Sequence, residues 1–501
     1  MLQGSANNYR YVYLVALLSL IYLAFLVSSA QPGVFFSSDG GVKFMVVKQV
    51  AAGHGFKYMY LPQPQWVQQI WEHGFFPFRP PFLYPSPQGY LFVFPPAFQL
   101  ISAFFYEHFG NAGLYIIPIL STILLWLGFV LLLKRSSVSP NRIAIGLLIL
   151  VFCSPLTIYG ATYWEHMTAI LLLFCGLSYL VQPSRRVAVA LIMGLLSGLA
   201  AWFRPEAMMM NVLYVLAMLY LFFRERRRNS ILFLIGIAVG VGSFLLFNKL
   251  EFDSFFGIHS RQVLQDSVEG GVEVNPFRNL VTNNFINVRH FLFILLILPA
   301  TFVWIRYKRQ LALRTRLLIL IVLAYCALTP FMVPNDGGRQ WGARYFLPVI
   351  TVTLVALLLI EKEWKLRYRI WLTVLIFLMA AYSFHRNTYT GGWKTLVWEN
   401  HYRISPSMNY IERQPGDVVV VSFPYIAMEL GYLFDDKYFF LAPDNASLQR
   451  LLPQLKRQGI RGYTYIYDVR VPNVRAKMLT DTVMAWPRDQ GDFEFRHYPI
   501  Q

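Results

Sequence analysis

The sequence is poor in charge. Asp, Glu, Lys and Arg make up 14% of its 501 residues, against about 25% in an ordinary soluble domain. A shortfall of that size excludes a fold that shields one core behind a charged shell. Cysteine is scarce as well. Cys153, Cys175 and Cys326 all lie in apolar runs, and no pair sits in a loop that it would staple. They read as core thiols, and a disulfide-framed module is excluded. Acidic residues are outnumbered, 26 against 44 basic, leaving a net charge of +18. In a soluble chain that excess would point to nucleic acid. Here Lys and Arg fall in short clusters between apolar runs, the pattern of the positive-inside rule, and nucleic-acid binding is set aside. No glycine-rich nucleotide loop, HxH or Cys/His metal spacing, internal repeat or low-complexity tract is present, so neither metal nor another cofactor is implied.

What the chain has in abundance is apolar and aromatic surface, 56% and 17% of residues. Runs at 11–29, 113–133, 143–158, 163–181, 187–203, 207–223, 231–247, 291–305, 317–333, 345–360 and 370–384 predict about eleven membrane spans. Counted this way, every strongly basic short loop falls on one side. Ser28-Ser29-Ala30 resembles a signal-peptidase site, but Arg10 is the only basic residue before the first run. We read that run as a retained span with its N-terminus in the cytoplasm. The apolar stretch 95–106 starts at a Pro pair and ends in Glu107-His108. Counting it as a span would invert every later basic loop, so it is expected to lie at the outer interface. Loop one, 31–111, is then wholly outside. Beyond about Arg386 the long apolar runs stop. A β-branched run at 417–422, a short helix at 425–434, strands at 438–441 and 462–467 and an amphipathic helix at 446–458 predict a small α/β domain. The expected fold is an α-helical polytopic membrane protein of the inner (plasma) membrane, with a membrane module over 1–385 and an extracytoplasmic α/β domain over 386–501.

Candidate chemistry gathers at the outer ends of the spans. Asp39, in Phe36-Ser37-Ser38-Asp39-Gly40-Gly41-Val42-Lys43, opens loop one. It suits a helix start, where a carboxylate favours the positive end of the dipole and Ser37 or Ser38 caps. It equally suits a general base at the membrane boundary. Lys43, one turn on, pairs with it or binds phosphate. Glu165 and His166, in Tyr163-Trp164-Glu165-His166, open a span; ionisable groups at that depth are costly unless they face a cavity, and the bland reading is a polar span end. Arg204-Pro205-Glu206 breaks two spans. Its Arg and Glu either form a local ion pair or bind phosphate and orient substrate. In Gly337-Gly338-Arg339-Gln340-Trp341-Gly342-Ala343-Arg344-Tyr345, Arg339 and Arg344 suit paired bonding to phosphate oxygens or plain interfacial anchoring. Glu72, His73 and Arg79 are weaker polar candidates in loop one.

The order of these features over residues 8–385 resembles the GT-C superfamily of integral-membrane glycosyltransferases, which use polyprenyl-phosphate sugars and include protein mannosyltransferases and bacterial aminoarabinose transferases. The shared features are a first span, an acidic residue opening loop one, interfacial helices before span two, Tyr163 to His166 opening a span, the Arg204-Pro205-Glu206 break, and the 337–345 loop followed by Phe346-Leu347-Pro348. Asp39 is followed by Gly40, so the acidic pair of the protein mannosyltransferases is absent, as is the Trp-Trp-Asp of oligosaccharyltransferases. The resemblance implies inverting transfer from a polyprenyl-phosphate sugar to a glycan, lipid or protein acceptor. Asp39 and Glu165 would be catalytic, and Lys43, His166, Arg204, Glu206, Arg339 and Arg344 would bind substrate and phosphate. The competing readings are a flippase of lipid-linked glycans, an O-antigen polymerase or ligase, and an assembly protein with a partner-binding outer domain. Transporters carry polar residues mid-span and inverted repeats, whereas the charges here collect at one face.

Overall fold

The structure is a computed structural model. It describes residues 9–500 except 31–32, 36–37, 79–82, 227, 259–288, 307–310, 333–340, 342–343, 364–368, 399, 402–404, 415 and 469–492. In chain order its principal elements are α1 (Arg10–Ser28), α2 (Ser38–Ala51), β1 (Leu83–Ser86), β2 (Gly89–Phe92), α3 (Ala97–Phe109), α4 (Ile116–Arg135), α5 (Pro140–Phe152), α6 (His166–Val181), α7 (Val187–Leu199), α8 (Ala207–Glu225), α9 (Asn229–Phe252), α10 (Ile297–Arg306), α11 (Leu313–Met332), α12 (Leu347–Glu363) and α13 (Arg369–Phe384). There follow β3 (Val418–Val421), α14 (Pro424–Glu429), β4 (Tyr438–Leu441), α15 (Asn445–Arg457), β5 (Gly462–Asp468) and β6 (Phe493–Pro499). Two compact units divide the chain: residues 1–27 with 115–395, and 28–114 with 396–501.

The first unit is helical, as lipid demands, since a helix satisfies its backbone groups within one segment. Among the described residues, five stretches are long and apolar enough to cross a bilayer: Arg10–Ser28, Ala97–Arg135, Ala207–Glu225, Asn229–Phe252 and Arg344–Lys362. Four further apolar helices are shorter. Their breaks are local. The run expected at 143–158 stops at Phe152, bends at Cys153-Ser154-Pro155 and resumes as a short helix, Leu156–Gly160. Pro155 supplies no amide hydrogen to an ongoing ladder. The run at 187–203 tightens into a 3₁₀ turn at Ala200–Trp202 before Pro205. Gly194 and Gly198 on α7 meet Gly236 and Gly240 on α9 backbone to backbone, and a side chain at any of the four would strike the facing helix. That close approach of small residues is how helices associate in lipid without a hydrophobic drive between them.

The second unit joins two distant stretches of the chain. The C-terminal segment does not stand alone: it shares one core with loop one. Val42 and Val46 of α2, Trp71, Phe75, Phe78 and Phe92 pack in the same cluster as Val418–Val421, Met428, Phe434 and Phe439–Leu441. The α3 helix belongs to this unit as well, burying Phe98, Gln99, Ser102 and Ala103. At the other edge, α13 runs on as a π-helical segment, His385–Trp398, and the first unit extends to Thr395.

The sheet has the order β4-β3-β5-β6, with β3 parallel to β4 and β5. The four valines of β3 are all buried, as a central strand covered on both faces requires. The sequence anticipates β3, α14, β4, α15 and β5 within a few residues. It misses β6, which lies antiparallel to β5 with Gly462 opposite Pro499. Asp444 caps α15 through the Ser447 amide, 2.7 Å away.

α2 is seated on this unit through its glycines. A side chain at Gly41 would run into the Met428 carbonyl, and Gly33, at φ +76°, lies against the Tyr432 ring. Lys48 pairs with Asp435, and the Trp71 indole donates to the Phe439 carbonyl at 2.9 Å. Gly41→Ala is therefore expected to lower stability by about 1–3 kcal/mol, the usual cost of overpacking. Gly55→Ala, with open space around it, is expected to change little. Heat-denaturation midpoints of the two variants in detergent check the contrast.

Candidate active site

The first unit builds a cavity from four helix ends. The Pro155 break turns the chain through the short Leu156–Gly160 helix, and α6 restarts at His166. Glu165 is the residue immediately before that restart and is 3% exposed. Tyr159, Trp164 and His166 surround the turn, their ring centroids 4.9–5.0 Å apart. A second end comes from α7. Its 3₁₀ turn delivers Arg204, whose amide still bonds the Ala200 carbonyl at 3.0 Å, and Pro205-Glu206 leads into α8.

Arg204 binds two carboxylates at once. Its Nη1 donates to Glu165 Oε1 at 3.1 Å and its Nη2 to Glu206 Oε1 at 2.6 Å. Burial by itself disfavours its charge, but Glu206 and then Glu165 outweigh that and hold its pKa above the ordinary arginine value. The guanidinium is thus permanently charged, and its two bonds are already committed.

The third and fourth ends come from α11 and the turn before α12. Arg344 lies over the Tyr345 ring, 4.7 Å from its centroid, and Nη2 donates to the Tyr345 hydroxyl at 2.6 Å. The Tyr325 hydroxyl of α11 donates to the Tyr345 carbonyl at 2.8 Å, fixing that turn. Tyr159 does the same for the Trp341 carbonyl, also at 2.8 Å. The cavity is lined by His166, Arg204, Glu206, Tyr325, Arg344 and Tyr345 over an apolar wall that includes Leu173.

Of the residues singled out from sequence, His166, Arg204, Glu206 and Arg344 therefore line one cavity, with Glu165 bonded to Arg204 behind them. Asp39 and Lys43 belong to the second unit. Asp39 stands in the first turn of α2, where the helix dipole favours it. Lys43 is 1% exposed, its Nζ 4.5 Å over the Phe94 ring. Glu72 and His73 lie on the π-helical turn Trp71–Phe75. Arg339 and Arg79 lie outside the described residues. Among the described residues no three His, Cys, Asp or Glu side chains gather as a metal would need. Sequence reasoning missed Tyr159 and Tyr325. Their only signal is a lone tyrosine within an apolar run.

The double pairing of Arg204 predicts an asymmetric mutational cycle. Arg204→Met removes the cation that Glu165 and Glu206 share, and is expected to cost about 3–5 kcal/mol. Adding Glu165→Gln to that variant is expected to recover most of the loss. Heat-denaturation midpoints of the single and double variants in one detergent check it; equal midpoints would show that the pairing does not hold the site.

Comparison with known proteins places the fold. No family model and no curated protein sequence matches the chain. Among solved structures it is similar to ArnT from Cupriavidus metallidurans bound to undecaprenyl phosphate, at 13% identity and a TM-score of 0.56, over 98% of each chain. The apo state of the same protein aligns at 14% identity and a TM-score of 0.53, over 95% of this chain and 96% of that one. The chain is a multi-pass membrane protein with the GT-C fold that its sequence resembles.

Proposed function

We propose that the protein is an integral-membrane glycosyltransferase that moves a sugar from a polyprenyl-phosphate donor to an acceptor hydroxyl on the extracytoplasmic face, with inversion. The observation that carries this reading is the full-length likeness in fold to a protein crystallised with undecaprenyl phosphate. The convergence of His166, Arg204, Glu206 and Arg344 on one cavity supports it.

In this reading Asp39 takes the proton of the acceptor hydroxyl as its oxygen attacks the anomeric carbon. The bond from that carbon to the phosphate oxygen breaks, and the polyprenyl phosphate leaves with the electron pair. Preorganised cations stabilise the charge that develops on it. Arg344, a guanidinium on the cavity wall, is suited to that task, and Arg339 and Lys43 complete the set carried over from the sequence. Arg204 is better suited to holding the site. Glu165 bonds the same guanidinium, so we assign Glu165 to orienting Arg204, and Glu206 and His166 to contacting the sugar. A sugar held on a lipid phosphate is already activated, so no nucleotide is needed. The acceptor is a glycan, lipid or protein hydroxyl.

Asp39→Asn is expected to lower the turnover number by roughly 10²–10⁴-fold with donor binding unchanged. The measurement is release of ³²P-labelled undecaprenyl phosphate from a panel of undecaprenyl-phosphate hexoses and pentoses, using the full chain in nanodiscs. Undiminished turnover would remove Asp39 from the mechanism. The topology in this reading puts the N-terminus in the cytoplasm and residues 396–501 outside. Alkaline phosphatase fused after Gln501 is then expected to be active in intact cells, and inactivity there would reverse the assigned orientation.

A further inference from the structure

A second group of cations in the first unit differs from the Arg204 cluster in one respect: among the described residues no carboxylate neutralises it. The indole of Trp341 is its centre. The guanidinium of Arg386 stands 4.8 Å from the Trp341 ring centroid, and the His290 ring meets the indole edge-on at 5.0 Å. Arg289 Nε donates to His290 Nε2 at 3.3 Å. Arg386 and His290 thus both meet the indole, and Arg289 joins them through His290, so that two guanidiniums and an imidazole gather at one place.

The floor of this group is rigid. Asn387 accepts from Trp341 Nε1 at 3.3 Å. Its amide nitrogen lies 2.9 Å from the carbonyls of His290 and Ser383 and 3.1 Å from that of Cys153. One side chain thus ties together the end of α5, the loop before α10, the end of α13 and the Trp341 turn. Gly391 leaves just the room that the indole fills, because a side chain there would strike its five-membered ring.

The polar atoms above that floor are left wanting. His290 is 3% exposed, and its Nδ1 has no hydrogen-bond partner among the described residues; neither has the buried Nε of Arg386. With Nε2 accepting from Arg289, the neutral ring carries its proton on Nδ1. Burial, then Arg386, then Arg289 push the His290 pKa down to about 3, so the ring stays neutral and donates. Burial and the nearby Arg289 likewise lower that of Arg386. Among the described residues neither arginine pairs with a carboxylate. Two guanidiniums close enough to repel, over buried donors that lack acceptors, are unfavourable until an anion arrives. Planar paired donors suit the oxygens of a phosphate.

We propose that Arg289 and Arg386, set over Trp341 beside His290, form a phosphate-binding site that shares no residue with the ion-paired Arg204 cluster. Arg204 has its acceptors already; among the described residues this site has none. That the phosphate belongs to a prenyl lipid rests on the transferase reading above, whereas the anion chemistry rests on these residues alone.

The test is binding rather than turnover. Purified full-length protein in phosphate-free detergent is titrated with farnesyl phosphate, farnesol and inorganic phosphate, with the heat-denaturation midpoint as readout. Farnesyl phosphate is expected to raise the midpoint and farnesol not. Arg289→Gln, a change at an exposed side chain, is expected to weaken farnesyl phosphate binding by about tenfold, and adding Arg386→Gln by about tenfold again. Arg386→Lys, which keeps the charge but not the paired geometry, is expected to fall between. Inorganic phosphate binding as tightly as farnesyl phosphate, and lost in the same variants, upholds the site and assigns it to a free phosphate. Unchanged binding in a folded Arg289→Gln variant, or farnesol binding as well as farnesyl phosphate, overturns it. Phosphate binding without sugar release from the donor panel would leave this site standing and remove the transferase reading.

Discussion

A charge removed from water must be answered where it stands, and the first unit is arranged around one such answer. Arg204 sits between Glu165 and Glu206. Its two bonds draw together the start of α6, the end of α7 and the start of α8. Each of those helices is broken at that point by a proline or a tight turn, and each break frees backbone groups that lipid cannot satisfy. The ion triad, the Tyr159 and Tyr325 hydroxyls and the Asn387 amide take up that burden. The irregular backbone is tolerated because it lines a cavity rather than lipid.

That answer leaves a sorting rule for the other cations. An arginine bonded to two carboxylates has little left to offer a ligand. One stacked on an aromatic ring with a bare nitrogen has much more. Arg204 belongs to the first kind and Arg386 to the second. Residue type and span position treat the two alike; what separates them is the neighbour each one meets.

The second unit illustrates a different constraint. Loop one cannot bury its own aromatics, and a sheet whose central strand is all valine needs cover on both faces. Val42, Trp71 and Phe78 supply part of that cover from more than 300 residues away in the chain. The glycines at 33 and 41 are what allow the close seating, since each faces a group that a side chain would strike. Asp39 therefore opens a helix whose position is set by the C-terminal segment, although nothing near Asp39 in sequence says so.

Much of the architecture was legible because lipid imposes it. Long apolar runs with basic clusters at their ends predict helices and their number of turns, and β-branched runs and amphipathic periodicity predict the α/β elements. The break at Pro205 and the place of Glu165 at the opening of a span were readable on the same local grounds, whereas the break at Pro155 falls inside a run expected to continue to 158. What the chain's order could not show was partnership: loop one with residues 396–501, Arg204 with two carboxylates, Trp341 with His290, Arg386 and Asn387. The strand at Phe493–Pro499, short and broken in its alternation by the Arg496-His497 pair, takes its place in the sheet from the open edge that β5 offers. Local periodicity depends on neighbours a few residues apart and is written in the sequence itself. Which buried charge meets which counter-charge depends on contacts across hundreds of residues, and only the folded chain decides it.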